Sequence, residues 1–144
     1  MDYPIFSRNF QVDYFKKDEG LWHITSHLKD HIHDILVTVD VSVPLMVIQE
    51  AEVKFIRYPR EGCIRMVDRM HKIVGANLFT DFREKLMKNF AGSEGCYNIM
   101  NLLSVAAPGL IWYYFPYLVT QGKMKPQDWQ EIIQTKLAEN CIAY

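Results

Sequence analysis

The sequence has almost no net charge, and this balance excludes several classes of protein. Its 144 residues carry 16 lysines and arginines against 17 aspartates and glutamates, which gives a formal net charge of −1. Proteins that bind nucleic acid or an anionic membrane usually carry a clear basic excess. We therefore expect neither nucleic acid nor a membrane among the partners of this protein.

The sequence also has few cysteines and no recognisable signal peptide. Its three cysteines, Cys63, Cys96 and Cys141, are an odd number at wide spacing. A small secreted domain more often carries an even set of cysteines that form disulfides. Residues 1–4 lack the basic and apolar stretches that begin a signal peptide. We therefore expect a cytoplasmic protein whose thiols are reduced.

The common catalytic and nucleotide-binding motifs are missing from the sequence. No G-x-G-x-x-G, P-loop, G-x-S-x-G or H-E-x-x-H pattern occurs, and there is no repeat or low-complexity run. Hydrophobic residues make up 49% of the chain and charged residues 23%, which is typical of a folded globular protein. At this length we predict a single domain over residues 1–144.

Residues 95–122 form one long uncharged segment, which is long enough to cross a bilayer. However, Asn98, Asn101 and Pro108 interrupt it, and its tyrosines lie near the middle, whereas a membrane span favours tyrosines at its ends. We predict a buried core helix that is broken by proline. A membrane span over residues 95–122 is the alternative.

The hydrophobic pattern changes from period two to a helical period after Pro59. The clearest alternation lies in the third predicted strand, at Ile35, Val37, Val39, Val41 and Val43. We predict about four antiparallel strands over residues 4–58, followed by about four helices over residues 63–142 that pack on one face of the sheet. The predicted fold class is therefore α+β.

Two of the predicted helices have well-defined apolar faces. The first face consists of Ile64, Val67, Met70 and Val74. The second helix is predicted to begin at Thr80 as N-cap, with an inward face of Phe82, Leu86 and Phe90.

Cys63 and Cys96 each end the same tripeptide, Glu-Gly-Cys, just before a predicted helix. A sulfur in the first turn of a helix faces unpaired N–H groups and the positive end of the helix dipole. Both favour the thiolate, which is the form that acts as a nucleophile or metal ligand. Alternatively, the glycine relieves a tight turn and the cysteine packs as a small apolar residue.

His31 and His33 are two residues apart, so on a strand their rings share one face. A tetrahedral metal site needs three or four nitrogen and sulfur ligands, with zinc the usual metal and iron another. We therefore predict a zinc or iron site made of His31, His33, Cys63 and Cys96. The alternative is that both histidines are satisfied residues at the edge of the core.

Aromatic residues are concentrated near the middle of the uncharged segment. Tyr113 and Tyr114 combine an apolar ring with a polar tip, which suits a pocket or a subunit interface. We predict a ligand pocket that includes Asp30, Asn98, Tyr113 and Tyr114, with core packing of the aromatic residues as the alternative.

An ordered series of short motifs resembles a bacterial family of domains of unknown function, DUF2889. The resemblance covers residues 20–118, and its motifs are Leu28-Lys29-Asp30, His33-Asp34-Ile35, Tyr58-Pro59 with Cys63, Ile73-Val74-Gly75, and Gly95-Cys96 with Leu102-Leu103. Members of this family often carry a histidine two positions after the glycine-cysteine pair and an acidic residue three positions further on. Asn98 and Asn101 stand at these positions here. The resemblance implies a soluble bacterial protein, and the family name indicates no particular activity.

Three functions remain open at this point. The first is a cytoplasmic accessory protein that binds a small molecule or a metal between the sheet and the starts of two helices. The second is a small enzyme with Cys63 or Cys96 as nucleophile, His33 as base, and Asp30 or Asp34 orienting that base. The third is a structural module whose uncharged segment forms a homodimer interface.

Overall fold

The computed structural model of the protein describes residues 2–138. An antiparallel sheet is followed by helices, so the predicted α+β fold is confirmed. Cys141 and the predicted end of the last helix at residue 142 lie outside the described residues. The elements in chain order are β1 (Asn9–Asp18), β2 (Leu21–Lys29), β3 (Asp34–Ser42), β4 (Val47–Arg57), a 3₁₀ helix (Glu61–Ile73), α1 (Phe82–Phe90), α2 (Tyr97–Ala106), α3 (Gly109–Thr120), α4 (Pro126–Ile132) and a π-helical turn (Ile133–Leu137).

The four strands form a meander in the order β1-β2-β3-β4, with every neighbouring pair antiparallel. The odd-numbered apolar residues of β3 are buried, as the alternation predicted. Because Leu28 pairs with Ile35 and Ile24 pairs with Val39, the even-numbered residues of β2 join them on the same face. This face is the core side of the sheet, and it includes Trp22, Ile24, Leu28, Ile35, Val37, Val39 and Val41.

Helix α2 packs on the core side of the sheet. The hydroxyl of Ser26, only 1% exposed, donates a hydrogen bond of 2.9 Å to the carbonyl oxygen of Leu102. The hydroxyl of Tyr14 donates one of 2.7 Å to the carbonyl oxygen of Ala106. These bonds join β1 and β2 to the C-terminal half of α2.

The segment after Pro59 is helical, as predicted, but it is a 3₁₀ helix with a different inner face. Ile64 and Val67 are 42% and 49% exposed, whereas Met66, Met70 and Ile73 are buried. The prediction of an inner face that includes Ile64 and Val67 was therefore wrong. Over residues 63–69 the inward row of the 3₁₀ helix follows a spacing of three through Cys63, Met66 and Arg69, which leaves Ile64 and Val67 in the neighbouring, exposed row.

Helix α1 confirms the predicted inner face, because Phe82, Leu86 and Phe90 are all buried. Its N-cap position is held by Asp81, one residue after the predicted Thr80. At its other end, the carbonyl oxygen of Phe90 accepts a hydrogen bond from the backbone N–H of Cys96. This bond holds the start of α2 against the end of α1.

His31 and His33 do not lie on a strand. They belong to the turn between β2 and β3, since β2 ends at Lys29 and β3 begins at Asp34. His31 is exposed and His33 is half-buried. The prediction that both rings share one strand face was therefore wrong, because the turn breaks the alternation that it assumed.

The contacts of the chain divide it into two compact units, with the boundary between Ala107 and Pro108. In the second unit, the ring of Trp129 on α4 lies 5.6 Å from the ring of Trp112 and stacks at 5.6 Å on that of Phe115, both on α3. The single domain over residues 1–144 stays a prediction.

The uncharged segment is helical over residues 97–120, with a break between α2 and α3. By length and composition it qualifies as a membrane span, and 44% of its most apolar window is buried. A core helix of a soluble protein satisfies the same criterion. The predicted absence of a membrane partner stays a prediction.

Replacing Gly95 by alanine tests the contact between the end of α1 and the start of α2. An added Cβ would overlap the carbonyl oxygen of Phe90, so we expect the free energy of unfolding to fall by about 2–4 kcal/mol. Gly62→Ala is the matched control, because a Cβ there has no neighbour within 4 Å, and it should change stability by less than about 0.5 kcal/mol. Urea unfolding of both variants provides the measurement, and equal stabilities would contradict the described loop.

Candidate functional site

The turn between β2 and β3 is organised by the carboxylate of Asp30. Its Oδ1 accepts hydrogen bonds from the backbone N–H groups of Ile32 at 2.8 Å and His33 at 2.6 Å. The side chain of Arg57 on β4 donates to the carbonyl oxygens of Asp30 at 2.6 Å and His33 at 3.3 Å. An aspartate that bonds backbone groups two and three residues further on is typical of a turn. The turn is therefore fixed from within by the Asp30 carboxylate and, at its first and last residues, by Arg57.

Four side chains from separate parts of the sequence close into a ring of hydrogen bonds, which we call the polar ring. Arg8 donates through Nε to Asp30 Oδ2 at 2.9 Å and through Nη2 to Asn98 Oδ1 at 2.5 Å. Asn98 Nδ2 lies 3.3 Å from His33 Nε2, and His33 Nδ1 lies 3.0 Å from Asp30 Oδ1. The ring thus joins the N-terminal segment, the turn and the first turn of α2.

The polar ring has a single consistent pattern of donors. Because the oxygen of Asn98 accepts from Arg8, its nitrogen must donate to Nε2 of His33. Nε2 therefore accepts, and Nδ1 carries the hydrogen that it donates to Asp30. Both ring nitrogens of His33 are occupied, and so are both carboxylate oxygens of Asp30.

The charge state of Asp30 follows from its surroundings. Burial of the carboxyl acts to raise its pKa, but the backbone N–H groups of His33 and Ile32, together with the side chains of His33 and Arg8, bond to the ionised form. These bonds outweigh burial and hold the pKa of Asp30 well below its usual range. Asp30 is consequently a stable anion in the folded protein.

A cavity of about 320 Å³ adjoins the polar ring on the side of the N-terminal segment. The ring of His31 lies 5.8 Å from that of Phe6, at an angle of 50°. The cavity is lined by Phe6, Ser7, Arg8, Asp30, His31 and Ile32. Of the predicted site residues, it brings together only Asp30 and His31.

A second cavity, of about 480 Å³, contains both predicted cysteines, and we call it the arginine cavity. Cys63 comes from the start of the 3₁₀ helix and Cys96 from the residue before α2. The remaining lining residues are Arg60, Gly62, Arg65, Met66, Arg69, Ser93, Glu94 and Gly95. Two of the predicted site residues, Cys63 and Cys96, thus line the same cavity.

The arginine cavity carries more positive than negative charge. Three arginines face one carboxylate, that of Glu94. Arg69 is partly occupied, because its Nη2 and Nε donate to the carbonyl oxygen of Asn89 at 3.0 and 3.2 Å. By contrast, the side chains of Arg60 and Arg65 make no hydrogen bond or ion pair with residues 2–138. Their donors are therefore available to a ligand.

The predicted metal ligands do not assemble. Between residues 2 and 138, no three His, Cys, Asp or Glu side chains are grouped so that they could hold a metal ion. His33 is turned toward Asp30 and Asn98, whereas Cys63 and Cys96 line the arginine cavity. The structure therefore does not gather His31, His33, Cys63 and Cys96 into the predicted zinc or iron site.

The four residues of the predicted ligand pocket belong to two compact units, Asp30 and Asn98 to the first, Tyr113 and Tyr114 to the second. Asp30 and Asn98 meet in the polar ring, where Arg8 bonds to both. Tyr113 and Tyr114 lie on α3, where Tyr113 is exposed and Tyr114 is buried with its ring 5.0 Å from that of Phe115. The pocket formed by all four residues stays a prediction.

The sequence interpretation missed three groups. Arg8 lies in the N-terminal segment, where no periodicity marked it. On the open face of the sheet, His23 Nδ1 bonds Asp40 and His27 Nε2 bonds Asp34, each at 2.5 Å. The bond from His27 lowers the pKa of Asp34 below its ordinary value. His23 and Asp40 are register partners, whereas His27 and Asp34 pair diagonally, and the alternation predicted for β3 gave no signal for either contact.

Comparison with known proteins gives one match. Residues 6–111 match the model of a family described as a protein of unknown function, DUF2889. No curated protein matches the chain. No solved structure matches it.

Asp30→Asn tests the polar ring through the pH dependence of stability. The amide cannot accept from Arg8 and His33 as the carboxylate does, so the free energy of unfolding at pH 7 should fall by about 2 kcal/mol. An aspartate with a lowered pKa in the folded state stabilises above its unfolded pKa of about 3.9, and this contribution is lost as the pH falls.

The difference between wild type and Asp30→Asn should therefore shrink from pH 7 to pH 3, as measured by urea unfolding. Asp68→Asn is the control, since Asp68 is exposed and has no hydrogen bond or ion pair in the described part of the chain. A difference that stays constant over this pH range would contradict the assignment.

Proposed function

The chain belongs to the DUF2889 family, whose description names no activity, and from the geometry of its side chains we propose that it is an accessory protein that binds a small anionic molecule. The observation that carries this proposal is the arginine cavity. Arg60 and Arg65 present guanidinium groups that nothing between residues 2 and 138 neutralises. Guanidinium groups recognise carboxylates and phosphates through paired hydrogen bonds.

The size and charge of the cavity narrow the class of ligand. A volume of about 480 Å³ lies within the range typical of small-molecule sites, roughly 300–1,000 Å³. Three arginines against one glutamate favour a ligand that carries more than one negative charge. We therefore propose a phosphate or a polycarboxylate as the chemical class. The proposal includes a cytoplasmic location, where the thiols of Cys63 and Cys96 stay reduced.

The enzyme alternative with His33 as general base has less support. A base must reach the proton that it abstracts. His33 instead accepts from Asn98 and donates to Asp30, and it is not among the residues that line the arginine cavity. Asp30 does orient the ring of His33, as the enzyme hypothesis required, but it orients the ring toward Asn98.

The homodimer hypothesis stays a prediction.

Anion binding can be measured by titrating the full-length protein with inorganic phosphate or citrate and following amide resonances. We expect saturable shifts at Gly62, Cys63 and Gly95. Arg65→Ala should weaken binding about tenfold, because a charge-assisted hydrogen bond contributes about 1.5 kcal/mol. Arg83→Ala is the matched control, since Arg83 is exposed on α1 and does not line the cavity.

The affinity of Arg83→Ala for the anion should lie within about twofold of wild type. This variant removes the same charge as Arg65→Ala, but at a position outside the cavity, where salt screens the effect of that charge on the anion. The proposal is wrong if neither anion gives saturable shifts, or if both arginine variants weaken binding equally.

A further inference from the structure

We propose that Cys63 is a modification site for small anionic disulfides, with which its thiolate undergoes thiol–disulfide exchange inside the arginine cavity. This inference rests on the proposed function, because the same guanidinium groups attract the anion. It adds a covalent reaction and names the residue that carries it out.

The 3₁₀ geometry places Cys63 among the arginines. With three residues per turn, side chains that are three positions apart lie in one row along the helix. Cys63, Met66 and Arg69 follow this spacing and line the cavity, and so does Arg60, the residue just before the helix. Arg65 reaches the cavity as well, so Cys63 lies within a set of arginines on its own element.

The thiol of Cys63 is free and half-buried at the wall of an open cavity. Reactive cysteines are typically found in partly exposed, electropositive surroundings, whereas fully buried cysteines are inert. Cys96 is also free and lines the same cavity, but its loop contributes the carboxylate of Glu94 to the lining, whereas Glu61, at the same position before Cys63, does not line the cavity. The arrangement therefore favours Cys63.

The exchange needs no reactant beyond the disulfide itself. Cys63 releases its proton to solvent, and the resulting thiolate attacks one sulfur of the small disulfide. The sulfur–sulfur bond of the reagent breaks as a new one forms to Cys63, and the second half leaves as a thiolate. One disulfide is consumed and one is formed, so electrons balance. Attraction by the arginines raises the local concentration of an anionic disulfide and should weaken in salt.

The test compares two reagents on the full-length protein, dithiobis-nitrobenzoate, a dianionic disulfide, and dithiodipyridine, a neutral one. Peptide mass spectrometry distinguishes modification at Cys63, Cys96 and Cys141. Relative to a small free thiol, we expect Cys63 to prefer the anionic reagent at least about tenfold, and high salt to remove this preference. Arg65→Ala should slow only the anionic reaction, while Arg83→Ala should leave both rates unchanged.

Modification of Cys63 without charge preference, or preferential modification of Cys96, overturns the inference. An Arg65→Ala variant that slows both reagents equally also overturns it, because the effect would then be structural. Binding of phosphate and citrate is measured in a separate experiment, from the amide resonances of the unmodified protein. If neither anion binds, the proposed function is overturned. The two failures are therefore distinguishable.

Discussion

The buried hydroxyl of Ser26 donates to the carbonyl oxygen of Leu102, and this bond joins β2 to α2, the helix whose start contributes Cys96 and Asn98 to the candidate sites. With α2 held against the sheet, its first turn lies beside the β2–β3 turn, where Asn98 meets His33. The backbone of Cys96 is held in turn by the carbonyl oxygen of Phe90. A short segment at the start of α2 thus contributes to both the polar ring and the arginine cavity.

The polar ring and the arginine cavity differ in how many of their polar groups already have hydrogen-bond partners. This difference indicates which of the two stabilises the fold and which can bind a ligand. In the polar ring, the ring nitrogens of His33 and the carboxylate of Asp30 are already bonded, so the ring stabilises the turn. In the arginine cavity, Arg60 and Arg65 have no ion pair within residues 2–138. Because these exposed guanidinium groups have no partner within the described residues, they can form paired hydrogen bonds to an anion without first breaking an ion pair. For this reason we assign binding to the arginine cavity.

Sequence patterns predicted the sheet and much of the helical region, because burial imposes a regular period on strands and on α1. They failed where local geometry departs from that period. In the 3₁₀ helix the inward row runs through Cys63, Met66 and Arg69, so Ile64, which the α-helical period predicted to be buried, is exposed. The turn at His33 depends on local hydrogen bonds to Asp30, and the contact of Arg8 with Asp30 depends on a bond between residues far apart in sequence; neither leaves a periodic signal.

The most direct test of the central claim is a crystal structure of the protein grown or soaked in citrate. We expect citrate in the arginine cavity, with its carboxylates within hydrogen-bond distance of Arg60 and Arg65. Citrate bound only elsewhere on the chain, with the cavity arginines contacting no anion, would contradict it.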